Sequence, residues 1–411
     1  MSSNSGNTLL RLKFLASIRA KVNPCQSTTL KFLVLTSLTV PRRITIRGND
    51  EKEYKILVKS GEDLRQDARI QQLFSVMNDI YANDIHCSQR HLSLRTYKAI
   101  PLNNRLGLIE WVDNTTVLQD FLKDGMSEKE RKSQDDTLPL KNFRQWACSK
   151  TPKNPYFYLY LNKSREEKSF LKLSSTPEAY MILRTKFAQS HAVICLSQWI
   201  LGIGDRHLRN FLVDKSTGCE VGIDFGHAFG SATQFLSVPE LIPFRLTPQY
   251  LQLMGPLQVK GIYESTMVHA LSAICNKRDL ILNVMDIFIK EPTVNWEIHA
   301  NKQLQDLGLS AEALVGKEDW FPKQRIQIAR KKLEGFNPCY ITRTVLELGH
   351  KSKKDIFKAM ESVCVGNVES NVRAKMKKNG LTVEEQVDCL IDLATDPHVL
   401  CLTYCGWNPW F

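Results

Sequence analysis

The stretch that decides the fold is GIGDRHLRNFLVDKSTGCEVGIDFGHAFG, residues 202–230. An apolar helical run precedes it and stops at Gly202 and Gly204, and residues 205–210 are polar. Residues 211–213 and 221–223 are short apolar runs on either side of a Lys-Ser-Thr-Gly turn. Two strand-like runs around such a turn predict a β-hairpin. With its centre near Thr217, the hairpin sets Asn210 and Asp224, each seven residues away, side by side at its open end. Hard oxygen donors in that place suit Mg²⁺, which keeps waters and bridges nucleotide phosphates; Mn²⁺ accepts the same donors. Asp205, five residues before Asn210, is placed to accept or orient the proton of an attacking hydroxyl, with His207 beside it.

Phosphoryl transfer asks for positioning and charge neutralisation: a lysine on the phosphates, metal ligands and a base. The lysine candidate is Lys59, at the end of a strand-like run over residues 54–58, with Glu62 and Asp67 just beyond it to hold the ammonium. Trp111 and Val112 end an apolar strand where a hinge would hold adenine through backbone groups. Singly, each residue has an ordinary structural reading. An Asp or Asn beside a hairpin is turn chemistry, and a Trp at a strand end is core. The joint spacing D-x-H-x-x-N, then a hairpin, then D-F-G, with a strand lysine upstream, is far more specific.

Outward from this stretch, residues 30–115 alternate strand-like runs (30–35, 43–47, 54–59, 94–101, 107–112) with one helical run, residues 63–84. That run places Leu64, Ile70, Leu73, Phe74, Met77 and Ile80 at helical spacing, which predicts a strand-rich lobe packed on one helix. Two charged stretches, 123–136 and 162–168, read as exposed loops or frayed helix ends. From residue 175 the pattern turns helical, with Ser175 or Thr176 as cap and Pro177 in the first turn, and continues through 247–289 and 320–333. Near the end, Thr382 and Glu385 have capping-box spacing ahead of an apolar stripe of Val387, Leu390, Ile391 and Ala394. Trp407, Trp410 and Phe411 close the chain and are expected to bury against the helical lobe. The fold class predicted is α+β, with a strand-rich first lobe and a helical second lobe.

The 411 residues, 43% hydrophobic, suffice for a sizeable core and two or three folding units. A net charge of +12 favours acidic partners such as nucleotide or DNA. Eleven scattered cysteines without a C-x-x-C pair read as reduced intracellular thiols rather than a zinc site. No apolar run approaches the roughly 18–20 residues that span a bilayer, so a soluble chain with no membrane partner is expected. The first 49 residues hold eight Lys or Arg and no acid, a composition an organelle transit peptide shares; from Thr28 the β-branched pattern reads instead as strands, and residues 1–27 are assigned no role.

The motifs LVKSGEDLRQD (57–67), LGLIEWV (106–112), GIGDRHLRNF (202–211), GIDFGHAFG (222–230) and the terminal GWNPWF resemble the phosphatidylinositol 3-kinase-related protein kinases. The resemblance covers about residues 34–411. It implies a first kinase lobe over 28–115, a second over 116–379 and a carboxy-terminal FATC domain over 380–411. By motif, Lys59 and Asp205 are catalytic with His207 as transition-state partner, and Asn210 and Asp224 hold the metal. Glu62 and Asp67 support the ATP site, Glu110, Trp111 and Val112 form the hinge, and Tyr97, Leu212 and Ile223 line the nucleotide. The family's nucleotide-covering loop corresponds here to residues 36–39, where Ser37, Leu38 and backbone amides would meet ATP phosphates. The order is D-R-H, where ordinary protein kinases have H-R-D.

Within the family, FGSATQFLSVPELIPFRLTPQ (229–249) and the tail are similar to members acting in double-strand-break repair by non-homologous end joining. That likeness implies a nuclear location, Ser/Thr targets followed by Gln and, for the full-length relative, the Ku heterodimer and DNA ends as partners. Two alternatives stay open: a kinase-shaped domain without catalysis that serves as an interaction module, and a phosphoinositide kinase. Residues 224–243 contain no Lys or Arg to neutralise an inositol phosphate, which favours a protein hydroxyl as acceptor.

Overall fold

Period-two apolar runs separated by turns make an antiparallel sheet, and that sheet is the frame of the first of two compact units, drawn from residues 1–72 and 96–113. The computed structural model describes residues 31–35, 40–48, 50–125, 165–290, 320–349, 379–400 and 402–408. Ser37 and Leu38 of the expected nucleotide-covering loop, residues 1–27, Trp410 and Phe411 lie outside the described residues.

The sheet runs β1 (Lys31–Val34), β2 (Arg42–Arg47), β3 (Glu53–Ser60), β4 (Ala99–Asn103) and β5 (Leu106–Glu110), in spatial order β1-β2-β3-β5-β4. Helix α1 (Arg65–Asn83) follows β3, and in the first unit its Ile70 is buried, as are Leu64, Ile56, Tyr97 and Ile100. The strand expected at 94–101 begins only at Ala99. The backbone before it is spoken for by side chains. Asn78 takes both polar groups of Leu94, at 2.7 and 2.8 Å, and the Tyr97 N–H donates to Gln71 Oε1 at 2.9 Å. Those groups are satisfied without a ladder.

The second unit comprises residues 73–95 and 114–411. Its helices are α2 (Ile85–Gln89), α3 (Leu118–Asp124), α4 (Arg165–Leu173), α5 (Pro177–Leu201), α6 (Ser231–Phe235), α7 (Pro248–Leu253), α8 (Ile262–Asn276), α9 (Arg278–Lys290), α10 (Trp320–Leu333), α11 (Pro338–Gly349), α12 (Val383–Thr395) and α13 (Pro397–Leu400). A small sheet of β6 (Thr115–Val117), β7 (Phe211–Asp214) and β8 (Glu220–Gly222) completes it. Helix α5 is its axis. Thr176 caps it by accepting the Ala179 N–H at 3.2 Å, Pro177 fits the first turn, and residues 190–201 are all buried. Of the charged stretch 162–168, read as an exposed loop or a frayed helix end, residues 165–168 form the start of α4, and residues 162–164 lie outside the described residues. Phe170 anchors that helix, fully buried, with its ring 4.9 Å from Phe121 and 5.3 Å from Phe187, while Glu167 and Lys172 are exposed. At the far end the Thr382–Glu385 capping box is formed, and Val387, Leu390, Ile391 and Ala394 are buried.

A buried ion pair ties α5 to β8. His191 Nδ1 donates to Glu220 Oε2 at 2.6 Å and Nε2 to the Arg245 carbonyl at 2.9 Å; Tyr250 and the Ser190 hydroxyl hold Glu220 from the other side. Burial opposes the imidazolium, but Cys195 and the Glu220 carboxylate against the ring outweigh it and lift His191 from 6.5 to about 10. A raised folded-state pKa means stability fully present below about 6.5 and lost as pH climbs through about 10. Glu220→Ala, which strands the imidazolium, should therefore cost about 3–5 kcal/mol at neutral pH. Urea midpoints will show it, and in Glu220→Gln their decline from pH 7 to 10 should flatten.

Candidate active site

Gly202 ends α5 in the left-handed region at φ 61°, and a side chain there would strike the Gly230 nitrogen at 2.5 Å. This close approach lets two loops pair. Gly204 donates to the His227 carbonyl (2.9 Å), Phe229 to that of Leu201 (2.8 Å) and Gly230 to that of Gly202 (2.8 Å). One loop carries Asp205, His207 and Asn210; the other follows β8 and carries Asp224.

Between the loops lies β7–β8, whose register corrects the sequence expectation. Asp214 Oδ1 accepts the Ser216 and Thr217 N–H groups while Arg95 pairs with Oδ2, and the turn closes on Asp214 N–H to the Cys219 carbonyl at 2.9 Å. The hairpin thus centres ahead of Thr217. Phe211 faces Gly222, and the Ile223 N–H bonds the Asn210 carbonyl at 3.0 Å, so Asn210 sits opposite Ile223 rather than Asp224. Asp224 comes one residue later, exposed, on a backbone turned to φ 59°.

Asp205 also has φ 59°. Left-handed Asp residues are tolerated because their short polar chains bond locally, yet each costs about 1–3 kcal/mol and persists where the surroundings fix it. The surroundings here are Arg206 and Asn210. Arg206, 1% exposed, donates to the Gly204 carbonyl at 2.8 Å, the Ile223 carbonyl at 2.9 Å and the Asp224 carbonyl, with Phe211 and Phe225 flanking its guanidinium. It straps both loops together. Asn210 Nδ2 donates to the Asp205 carbonyl at 2.8 Å, which assigns the amide's orientation and leaves Oδ1 as the acceptor for a cation. Phe225, fully buried, meets Phe74 edge-on at 5.5 Å and anchors the D-F-G turn.

His207 accepts the Arg209 N–H on Nδ1 at 3.2 Å, so the neutral ring carries its proton on Nε2, the nitrogen 4.0 Å from Asp205 Oδ2. Burial depresses its pKa; Asp205 opposes this, and Arg206 and Arg245 add to the depression. At neutral pH it is an uncharged N–H donor beside a carboxylate. Leu212 and Ile223 are half-buried.

In the first unit, Lys59 Nζ pairs with Glu62 Oε2 at 2.9 Å, and the lysine side chain is 14% exposed. Asp67 is buried in the first turn of α1, and Tyr97 is buried beside Gln71. Glu110 exchanges backbone and side-chain bonds with Lys98, and the Trp111 N–H is spent on the Lys55 carbonyl at 3.1 Å, with Arg43 over its ring. Any backbone recognition by residues 110–112 therefore falls to groups other than that amide.

Three residues escaped the sequence reading: Arg206, Glu240 and Arg245. Glu240 accepts the Asp205 N–H at 2.9 Å, and burial lifts its carboxyl to about 7. Arg245 donates to the Arg206 carbonyl at 3.0 Å. The signal was available: Glu240 and Arg245 are lone charges in the apolar run VPELIPFRL, the mark of buried polar groups with assigned partners.

A family model described as "Phosphatidylinositol 3- and 4-kinase" matches residues 53–298, and one described as "FATC domain" matches residues 380–411. The chain is similar to the DNA-dependent protein kinase catalytic subunit of Canis lupus familiaris, 47% identical over 401 residues, 92% of this chain and 10% of that protein. The Mus musculus counterpart is 45% identical with the same coverage. Serine/threonine-protein kinase TOR2 of Saccharomyces cerevisiae is 29% identical over 399 residues, 92% of this chain and 15% of that protein. A solved structure described as "Structure of the open conformation of CtTel1" shares the fold, with a TM-score of 0.60 at 24% identity over 93% of this chain and 12% of that one. The chain spans about a tenth of the length of the catalytic-subunit relatives it matches.

Proposed function

The chain belongs to the phosphatidylinositol 3- and 4-kinase family and carries a FATC domain, and from that premise we propose that it is an ATP-dependent serine/threonine protein kinase module. The observation that carries this reading is the pair of strapped loops, on which a carboxylate base, a neutral imidazole donor and two oxygen ligands are fixed by Arg206 and the Asn210 amide.

The donor set fits a hard divalent cation. Asn210 Oδ1 and the exposed Asp224 carboxylate would hold Mg²⁺ or Mn²⁺, with phosphate and water supplying the rest. Bound there, the ion neutralises charge on the transferring phosphoryl group. Asp205 accepts or orients the proton of the attacking hydroxyl. His207 Nε2–H donates toward the oxygens that gain charge. Lys59, held by Glu62, supplies the first unit's phosphate-binding cation, and Asp67 supports the same group. Ser37 and Leu38 are assigned to phosphate contact, Tyr97, Glu110, Trp111, Val112, Leu212 and Ile223 to the base and ribose.

The acceptor proposed is a protein Ser or Thr preceding Gln, since the segment from Asp224 to Pro243 offers no Lys or Arg for an inositol phosphate. By likeness to the catalytic-subunit relatives, the setting proposed is nuclear double-strand-break repair, with the Ku heterodimer and DNA ends as partners of a full-length protein.

Saturating Mg-ATP should raise the melting temperature, since ligand at about 100 times its Kd adds about 2.7 kcal/mol to the folded state. The chain should then phosphorylate a Ser-Gln peptide in preference to its Ser-Ala counterpart. A melting temperature unmoved by millimolar Mg-ATP would defeat the reading; equal use of both peptides would defeat only the Gln preference.

A further inference from the structure

The loop that bears Asp205 is held at one more point, from the segment that follows Asp224. The Asp205 N–H points to Glu240 Oε2 at 2.9 Å, on a backbone turned to φ 59°. Glu240 is itself fixed. Its carbonyl accepts the Thr233 hydroxyl at 2.7 Å, and its side chain is buried in a cavity of about 50 Å³ shared with Gln198, Ile242 and Lys332. The preceding residue makes room: a Cβ on Gly204 would lie 2.6 Å from Glu240 Oε2 and 2.2 Å from Ala232 Cβ, so only glycine admits the carboxylate to the Asp205 amide.

We propose that Glu240 is a positioning residue for phosphoryl transfer, its buried carboxylate holding the Asp205 backbone in the conformation that presents the Asp205 side chain. The assignment rests on Asp205 acting as the base. Two physical points support it. A buried carboxylate facing Ile242 and Pro243 is a poor choice for stability, and burial lifts this one to about 7, so an apolar residue would serve the core better. And a left-handed Asp needs an acceptor for its amide, because few backbone partners lie in reach in that conformation.

The test separates accepting the amide from filling the space. Glu240→Ala should lower kcat about 10- to 100-fold while KM for ATP and the Mg-ATP-dependent melting shift stay within about twofold of the parent. Glu240→Gln, whose Oε1 can accept the same N–H, should recover kcat to within about fivefold. Hydrogen exchange of the Asp205 amide should quicken in Glu240→Ala and stay slow in Glu240→Gln, a readout that needs no turnover. If the alanine variant does not fold, Glu240→Asp, one methylene short of the amide, should fold, exchange faster and lose about 10-fold in kcat.

Parental kcat in Glu240→Ala or in Glu240→Asp would overturn the proposal, as would equal losses in the alanine and glutamine variants. An Asp205 amide that exchanges alike in all variants would also overturn it. If the parent transfers phosphate and Asp205→Asn leaves the rate unchanged, the catalytic reading of Asp205 fails instead. Slow exchange confined to parent and Glu240→Gln would then still establish the contact and reduce it to a structural one, which refutes the positioning role.

Discussion

Asp224→Asn is expected to abolish phosphoryl transfer, by about 10³-fold or more, while leaving the fold within about 0.5 kcal/mol of the parent. The two effects separate because of where Asp224 sits. Its carboxylate is exposed at the mouth of β7–β8, so its loss uncovers no core. Its backbone is tied to the fold, since the carbonyl receives Arg206 and φ is 59°. Asn keeps that carbonyl and visits the left-handed region as readily as Asp. It removes only the negative charge that a hard cation needs. Phosphorylation of a Ser-Gln peptide and a thermal melt check both halves. Undiminished phosphorylation would remove Asp224 from the metal assignment. A large fall in melting temperature would mean that its side chain is structural.

How far the sequence foretold this site depends on the distance over which each residue acts. Asp205, His207, Asn210 and Asp224 were legible because their spacing is local: a helix stop, a polar loop and a hairpin keep them within 20 residues. The hairpin itself was legible, but not its register. That was set by the Asp214 carboxylate capping its own turn and by Arg95, a residue 119 positions away. The strand lysine pairs with Glu62 three residues on, within reach of local reasoning. Arg206, Glu240 and Arg245 act through backbone carbonyls and amides, and a sequence pattern carries no record of which distant amide a side chain meets. Helix α4 was legible only in part, as the frayed-helix-end alternative for the charged stretch 162–168. Its charged composition outweighed one fully buried phenylalanine, Phe170, on which the helix depends.

Arg245→Met should destabilise the chain by about 3–5 kcal/mol and cut turnover more than about 10-fold even where the chain is folded. Arg245 is fully buried and joins three places. Its Nε donates to the Arg206 carbonyl at 3.0 Å, its terminal nitrogens donate to the Trp407 carbonyl and, at 3.2 Å, to that of Asn408, and its guanidinium lies 3.7 Å over the Trp407 ring. Arg206 in turn holds Ile223 and Asp224. The carboxy-terminal residues are therefore tied through the Arg245 guanidinium to the loop that carries Asp205, and through Arg206 to Asp224. Methionine fills the stem's volume but donates nothing, so two buried carbonyls and the half-buried one of Asn408 lose a charged partner at once. Trp407→Ala should cost a similar 3–5 kcal/mol through lost packing, being 3% exposed in the parent. Trp407→Phe should be milder, because the indole N–H has no hydrogen-bond partner among the described residues. Because ring and guanidinium touch, the double variant should fall short of the sum by about 1–3 kcal/mol in denaturant midpoints. Strict additivity would mean that the tail and the catalytic loops are held independently. In that case Arg245→Met would be expected to lower turnover with Trp407→Ala leaving it intact, and the peptide assay distinguishes that outcome from a shared loss.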